Sequence, residues 1–332
     1  MHRRGLLLGL PCCLAATINS AVKAQEVHRP LRVGFLSAGG ANPDLSGPEP
    51  ANAAARALLS GLRDLGYQYG SGVVLVGRGG EGRVDRYGTL ARELVTANVD
   101  VIVAAGPTVE AVRSATGRIP IVMVGGAMDP VEEKLVASLA APGGNITGIT
   151  LQQVDLVGKR MELLREVVPG AAPTAVLWED TSLGSWRAAQ TAAANHSWQL
   201  LSIKASDRAA IAPACATAKA AGAASLLVAS GGMLFDHASD VVRAATASRL
   251  PAMYALRVYP DQGGLMSYAA DLGDLYRRAA TFVDRIAKGS SPATMPIEQP
   301  TKFEFVFNMK AARALGLAIP NTLLLRADEV IE

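Results

Sequence analysis

From Leu31 onward the chain switches repeatedly between two hydrophobic periods, and this alternation restricts its fold more than any other feature. Short apolar runs at 31–36, 73–76, 99–104 and 119–124 are each followed by a stretch with apolar residues three or four apart. Leu58, Leu62 and Leu65 mark the first such stripe (51–65), and Tyr87, Leu90 and Leu94 the second (84–98). A short helix opens at Gly106-Pro107-Thr108, and a fourth is expected over 131–140. The pattern restarts with a helix at 156–168. Strands follow at 174–178, 199–204, 225–229 and 252–256, with helices near 184–196, 208–221 and 236–249. A helix at 274–288 and a strand at 302–307 complete the body.

Strands that are apolar throughout are covered on both faces, as in parallel sheets flanked by helices. Two successive sets in 332 residues imply an α/β protein with two Rossmann-like lobes. Residues 141–150 read as the first crossing between them. The expected division is 30–147 plus about 259–288 for one lobe, and 148–258 plus about 289–332 for the other.

The N-terminus reads as an export signal over 1–24. Arg3 and Arg4 precede an apolar run from Gly5 to Ala16, and Val22-Lys23-Ala24 offers a small-residue cleavage site before Gln25. The run is shorter than the roughly 20 residues of a membrane span. Cys12 and Cys13 lack the residues that precede a lipidated cysteine, so a soluble exported chain is expected. Cleavage leaves Cys215 as the only cysteine, which rules out an intrachain disulfide. It also removes Arg3, Arg4 and Lys23 from the 32 basic residues, leaving 29 against 29 acids. That balance argues against a nucleic-acid partner, which usually demands a basic excess.

Catalytic and cofactor signatures are sparse. His196 and His237 have no partners at metal-ligand spacing, so no metal is expected. No nucleophile elbow, zinc-protease motif or phosphate-binding loop occurs. Gly77-Arg78-Gly79-Gly80-Glu81-Gly82 has dinucleotide-fingerprint spacing. However, it follows the second strand rather than the first, and the acid at the expected distance, Asp100, begins a strand instead of ending one. A flexible strand–helix loop is the better reading, and no cofactor is expected. An exported NAD-type α/β enzyme stays as a minor alternative.

In open α/β sheets ligands sit beyond the carboxyl ends of the strands, and with two lobes the natural site is the cleft between them. The segments there include Ser37-Ala38-Gly39-Gly40, Gly106-Pro107-Thr108 and Gly125-Gly126-Ala127-Met128-Asp129-Pro130. From the second lobe come Trp178-Glu179-Asp180, Ser230-Gly231-Gly232 and Tyr254, then Tyr268 and Asp271 past the return crossing. Ser37 offers a hydroxyl. Thr108 either helps a helix N-terminus hold a carboxylate or only caps that helix. Asp129 either pairs with an ammonium group or shapes the turn before Pro130. Trp178, Tyr254 and Tyr268 either enclose an apolar group or pack in the core.

Several segments together resemble a known family. They are Gly61-Leu62-Arg63-Asp64-Leu65-Gly66-Tyr67, Val99-Asp100-Val101-Ile102-Val103-Ala104, Asp129-Pro130-Val131, Leu135-Val136-Ala137-Ser138-Leu139, Pro142-Gly143-Gly144-Asn145-Ile146-Thr147-Gly148, Gly263-Gly264-Leu265-Met266-Ser267-Tyr268, Gln299-Pro300-Thr301-Lys302-Phe303-Glu304 and Ala314-Leu315-Gly316-Leu317. In this order they are similar to ABC transporter substrate-binding proteins of the TrpX-like family, over about residues 30–332. The resemblance implies a type I periplasmic-binding-protein fold that closes on its ligand like a hinge, with no catalysis. It implies a periplasmic chain that delivers a small organic solute to an ABC permease and its ATPase, meeting the membrane only through the permease. Binders of aromatic amino acids occur in the family, and an aromatic or branched amino acid is one expected solute. The same fold also serves ligand-sensing subunits of receptors. Ligand contact carries over most strongly to Thr108, Asp129 and Tyr268, and less strongly to Ser37, Trp178 and Tyr254. The chain departs from the family at Gly77-Arg78-Gly79-Gly80 and at Gly231-Gly232-Met233, so ligand identity does not transfer with the resemblance.

Overall fold

The structure, a computed structural model, describes residues 29–125 and 129–332. The export segment read at 1–24 lies outside these residues. Strands β1 (Leu31–Ser37), β2 (Val73–Gly79), β3 (Val101–Ala105), β4 (Ile121–Val124) and β5 (Ile146–Ile149) form a parallel sheet in the order β2-β1-β3-β4-β5. A second sheet contains β6 (Thr174–Trp178), β7 (Leu200–Lys204), β8 (Ser225–Val228), β9 (Ala252–Tyr254), β10 (Met266–Ala270), β11 (Phe303–Asn308) and β12 (Glu329–Ile331). Its order is β12-β11-β10-β9-β8-β6-β7, and β11 runs antiparallel to β10. The helices are α1 (Ala53–Asp64), α2 (Val84–Thr96), α3 (Thr108–Ala115), α4 (Val157–Val167), α5 (Leu183–His196), α6 (Ile211–Ala220), α7 (Gly232–Asp236), α8 (Ala238–Ala247), α9 (Val258–Asp261), α10 (Leu272–Ala287), α11 (Met309–Leu315) and α12 (Asn321–Leu324).

Successive residues of each strand face opposite sides, so each sheet carries two cores. In the first lobe Val33, Phe35, Val101, Val103, Val122 and Val124 pack under α1 and α10. Leu36, Ile102, Ala104, Ile121 and Met123 pack under α2 and α3. In the second, Leu177, Leu226 and Val228 face α6 and α8, while Val176, Leu227, Met253 and Phe307 face α4 and α5. The α/β architecture with two parallel-sheet lobes is the one expected.

Several local expectations change. Residues 131–140 form turns rather than a helix. Lys134 adopts a left-handed conformation (φ 57°), and Leu135 and Val136 both donate to the carbonyl of Pro130, which closes the turn after one revolution. Within the expected crossing at 141–150, residues 146–149 are an edge strand of the first sheet. Residues 266–270, placed with the first lobe, pair with β9 and β11 of the second sheet; only α10 returns to pack on α1. Residues 292–298, placed with the second lobe, lie against the first, where Thr147 Oγ1 donates to the carbonyl of Met295. These placements put the crossings at 150–156, at Asp271 and at 299–302.

Two polar devices fix the crossings. Asp271 caps α10 by accepting from the Asp274 amide (3.1 Å), and it pairs with Lys302 in the third crossing (2.6 Å). Arg160 of α4 is 1% exposed. It donates to the carbonyls of Gln153 (3.0 Å), Tyr268 (2.7 Å) and Ala255 (3.2 Å), and to the side chain of Gln153. Among the described residues no carboxylate pairs with it. Burial pulls its guanidinium down to about 9. A buried cation is tolerated only when its donors are used, and here neutral oxygens on three separate segments use them.

Candidate functional site

A cavity of about 390 Å³ lies between the carboxyl ends of the two sheets. Much of the first-lobe wall traces to strand ends. Ser37–Gly40 follow β1, Ala105–Pro107 follow β3, and Met123–Gly125 close β4. Asn52, Ala54, Pro130, Glu133, Leu135, Leu151, Leu272 and Tyr276 complete the first-lobe side. The second lobe reaches it through Thr181, Ser230–Gly232, Phe235 and Leu256. The volume suits a single small solute, and the mixture of apolar walls with a few polar groups is that of a small-molecule site.

Local packing builds this geometry. Gly77 and Gly79 let the segment after β1 lie against β2: a Cβ on Gly79 would sit 2.1 Å from the Gly40 carbonyl oxygen. The glycine-rich motif therefore serves backbone approach. Asp100 is engaged elsewhere, accepting from Arg29 (2.5 Å) and from the Arg32 amide (2.8 Å). In the second lobe, Glu179 Oε1 accepts from the Met233 amide (2.8 Å) at the start of α7. A Cβ on Gly231 would fall 2.2 Å from that oxygen, so glycine is required where the backbone passes over the carboxylate.

Of the six residues singled out in the sequence, the structure places Ser37 on the cavity wall and the other five elsewhere. Thr108 is fully buried. Its hydroxyl lies 3.2 Å from the Leu36 carbonyl, 2.9 Å from the Ala105 carbonyl and 3.1 Å from the Ala105 amide. It ties α3 to the ends of β1 and β3, while its neighbours Pro107 and Val109 line the cavity. Asp129 is exposed and accepts from the Val131 amide (2.7 Å), shaping the turn that presents Pro130 and Glu133. Trp178 stacks on Trp186 (6.0 Å between centroids) and donates to Ser202 (2.9 Å) on the lobe surface. Tyr268 stacks on Phe303 (6.0 Å).

Tyr254 is 1% exposed and stacked on Tyr259 (4.7 Å). It borders a separate cavity of about 400 Å³ with Arg249 and Lys310 at the far end of the second lobe's strands. That cavity is bounded by one lobe only. Closure of the two lobes would not enclose it, so the inter-lobe cavity is the candidate site.

Asn52, Glu133, Thr181, Phe235, Leu256 and Tyr276 join the site without having been anticipated. Thr181 lies three residues past the end of β6, a usable signal, whereas Glu133 lies nine past the end of β4. Tyr276 sits one position off the apolar stripe of α10, and no local pattern distinguishes it from core.

The electrostatics are one-sided. Burial pushes the Glu133 carboxyl up to about 7, and the charges of Glu110 and Asp129 add to the rise. Asp236, next to Phe235, is raised to about 6 by burial and by Glu179, partly offset by the Tyr87 hydroxyl. Tyr87 belongs to α2 of the first lobe, so this phenol and carboxylate face each other across the cleft, although Tyr87 Oη lacks a well-formed hydrogen bond. Among the described residues no Arg, Lys or His lines the cavity, and no helix is long and apolar enough to cross a membrane.

Comparison with known proteins places this geometry in a family. A tyrosine-binding protein of Clostridioides difficile is 22% identical over 284 residues, 83% of this chain and 81% of that protein. A conserved domain protein from Vibrio cholerae superposes with a TM-score of 0.80 at 25% identity, covering 91% of this chain and all of that one. An ABC domain in complex with L-Trp from Streptococcus pneumoniae gives 0.77 at 23% identity, with the same coverage. Solute-binding proteins of the periplasmic type share the two-lobed arrangement at lower similarity, among them one with bound myo-inositol (TM-score 0.54). The match to the family described as ABC transporter substrate binding protein extends over residues 47–331. The chain belongs to the ABC transporter substrate-binding proteins and delivers a small solute to such a transporter.

Proposed function

We propose that the inter-lobe cavity captures an amino acid with an aromatic side chain, and that the chain presents it to an ABC permease and its ATPase on the outer side of the membrane. One observation carries this reading: a cavity sized for one small solute is walled by both lobes and has an aromatic ring on each side, Tyr276 and Phe235. Aromatic rings give large contact area and favourable stacking with an aromatic solute. The relatives that bind tyrosine and L-Trp support the same solute class. Ser37, Thr181 and Ser230 offer hydroxyls to the solute's polar end, and Thr108 and Asp129 act by positioning the segments beside it.

Closure follows from differential binding. A solute that touches only one lobe leaves the open–closed balance unchanged, whereas contacts to both lobes favour the closed form in proportion to the affinity gained there. Export to the periplasm rests on residues 1–24, and the chain meets the membrane only through the permease. No catalysis is part of this reading.

The test is isothermal titration of the purified chain with L-tryptophan, L-tyrosine, L-phenylalanine, L-leucine and L-glutamate. Binding of one or more aromatic members, with L-glutamate silent, is the expected result. Saturable binding of L-glutamate or L-leucine without any aromatic member would overturn the reading.

A further inference from the structure

We propose that Glu133 is the amine-binding residue of the cleft, so that the solutes it retains carry a protonated amino group. This rests on the inter-lobe cavity being the solute site, and it adds a polarity that family membership does not supply.

The argument begins with the turn. Asp129 holds the backbone after β4, and Lys134 reverses it with a left-handed conformation. Val131, Glu132 and Lys134 stay exposed, while Glu133 is half-buried on the cavity wall. Among the described residues its carboxylate has no cation and no hydrogen-bond donor. The groups facing it, Glu110 of α3 and Asp129, are acids. Glu110 is already paired with Arg113 at 2.6 and 2.7 Å. A desolvated carboxylate is costly unless a cation joins it. Among the described residues the cavity wall has no basic side chain to do so, and an ammonium group on the solute would supply the missing charge. A solute carrying only a carboxylate would meet like charge instead. Asp236 and Glu179 add negative charge on the second-lobe side, where Glu179 accepts from the Met233 amide and Asp236 faces the Tyr87 phenol across the cleft.

The pH sign is fixed by the same group. Its carboxyl holds a proton up to about 7, and only the ionised form pairs with an amine. Affinity for an amine therefore rises with pH up to about 7 and levels off above, with a proton released on binding. Asp236 titrates near 6, so Asp236→Asn keeps the rise near 7 and Glu133→Gln removes it.

The experiment is titration of the full chain at pH 8 with L-tryptophan, tryptamine and indole-3-propionate, on wild type and Glu133→Gln. Thermal melts check that both are folded. Tryptophan and tryptamine should bind roughly 10- to 100-fold more tightly than indole-3-propionate, the span of a charge-assisted hydrogen bond. Glu133→Gln should remove most of that gap without weakening indole-3-propionate. Equal binding of the deaminated compound, or a folded Glu133→Gln protein with unchanged tryptamine affinity, would overturn the proposal. Should no indole compound bind, the aromatic reading fails by itself. The amine proposal is then decided by L-leucine, isopentylamine and 4-methylpentanoate, and it falls unless an amine-bearing member binds and the carboxylate alone does not.

Discussion

The first lobe walls the cavity from three strand ends, a turn and one face of α10, whereas the second reaches it through three short segments and Phe235. The first-lobe wall is continuous with a packed core: Tyr276 lies 5.8 Å from Phe35 between ring centroids and is 8% exposed. The second-lobe wall rests on α7, a helix of five residues held by Glu179. A wall built on a rigid sheet suits recognition, because its geometry exists before the solute arrives. A wall built on short elements suits closure, because it adds contacts only when the lobes meet. On this division the first lobe is expected to select the solute, and the second to set how far binding favours the closed form.

The largest expected effect breaks the comparison at its joint. Arg160→Ala leaves carbonyls on three segments without a donor and opens a void in α4's packing, at a cost of about 3–5 kcal/mol. Urea denaturation should show this loss, and small-angle scattering of the folded fraction should show a wider spread of lobe separations. Arg160→Met should recover part of the stability by filling the void, but not the uniform separation.

Substitutions on the two walls sharpen the contrast. Tyr276→Leu should weaken an aromatic solute by about 1–2 kcal/mol through lost stacking, visible in affinity even when closure is slow. Phe235→Leu should act mainly on the dissociation rate in stopped-flow traces, with a smaller change in association rate. Similar effects of both variants on association would mean that the two lobes share recognition.

A smaller effect concerns the acid at the lobe interface. Asp236 ionises near 6 in the folded protein, against an ordinary value of 3.8. The unfolded chain loses this proton first as pH rises past about 4, so the contribution of Asp236 to stability declines from there to about 6 and stays low above. Asp236→Asn should remove that decline and stabilise the chain at pH 8 by about 1 kcal/mol, a modest gain because solvent screens a partly exposed group. Melts at pH 4.5 and pH 8 measure it. The smallest effect is at Trp178, which stacks on Trp186 outside the cavity. Trp178→Phe should leave solute affinity unchanged within about 0.5 kcal/mol.

Much of the strand ladder was legible because apolar runs of the right length have few alternatives once helices alternate with them. β6 matches its sequence-based bounds at 174–178, and α5 differs by one residue from the expected 184–196. The misses share a cause. β5, β10 and β12 are short, and β-pairing partners far along the chain decide whether such segments become strands. The apparent helix at 131–140 has acceptable propensity, yet its turn is closed by tertiary and capping contacts. At the candidate site, the place of Ser37, Gly106 and Ser230 on the cavity wall was readable from their position after strands. Trp178, Tyr254 and Tyr268 occupy similar places and turn away, because alternate strand residues face opposite sides and the sheets bury aromatics wherever space allows.

The sequence by itself determined the two α/β lobes, the gathering of small and polar segments at the carboxyl ends of their strands, and an ordered set of segments shared with the substrate-binding family. These follow from hydrophobic period and local turn chemistry, which act over a few residues. Only the tertiary structure decided which side chains meet across the cleft: Glu133, Tyr276 and Leu151 from the first lobe and the first crossing, and Thr181 and Phe235 from the second. It also decided that Arg160 joins three distant segments. Residues so far apart are brought together by sheet pairing and by the three crossings, and no local pattern encodes the direction in which a side chain finally points.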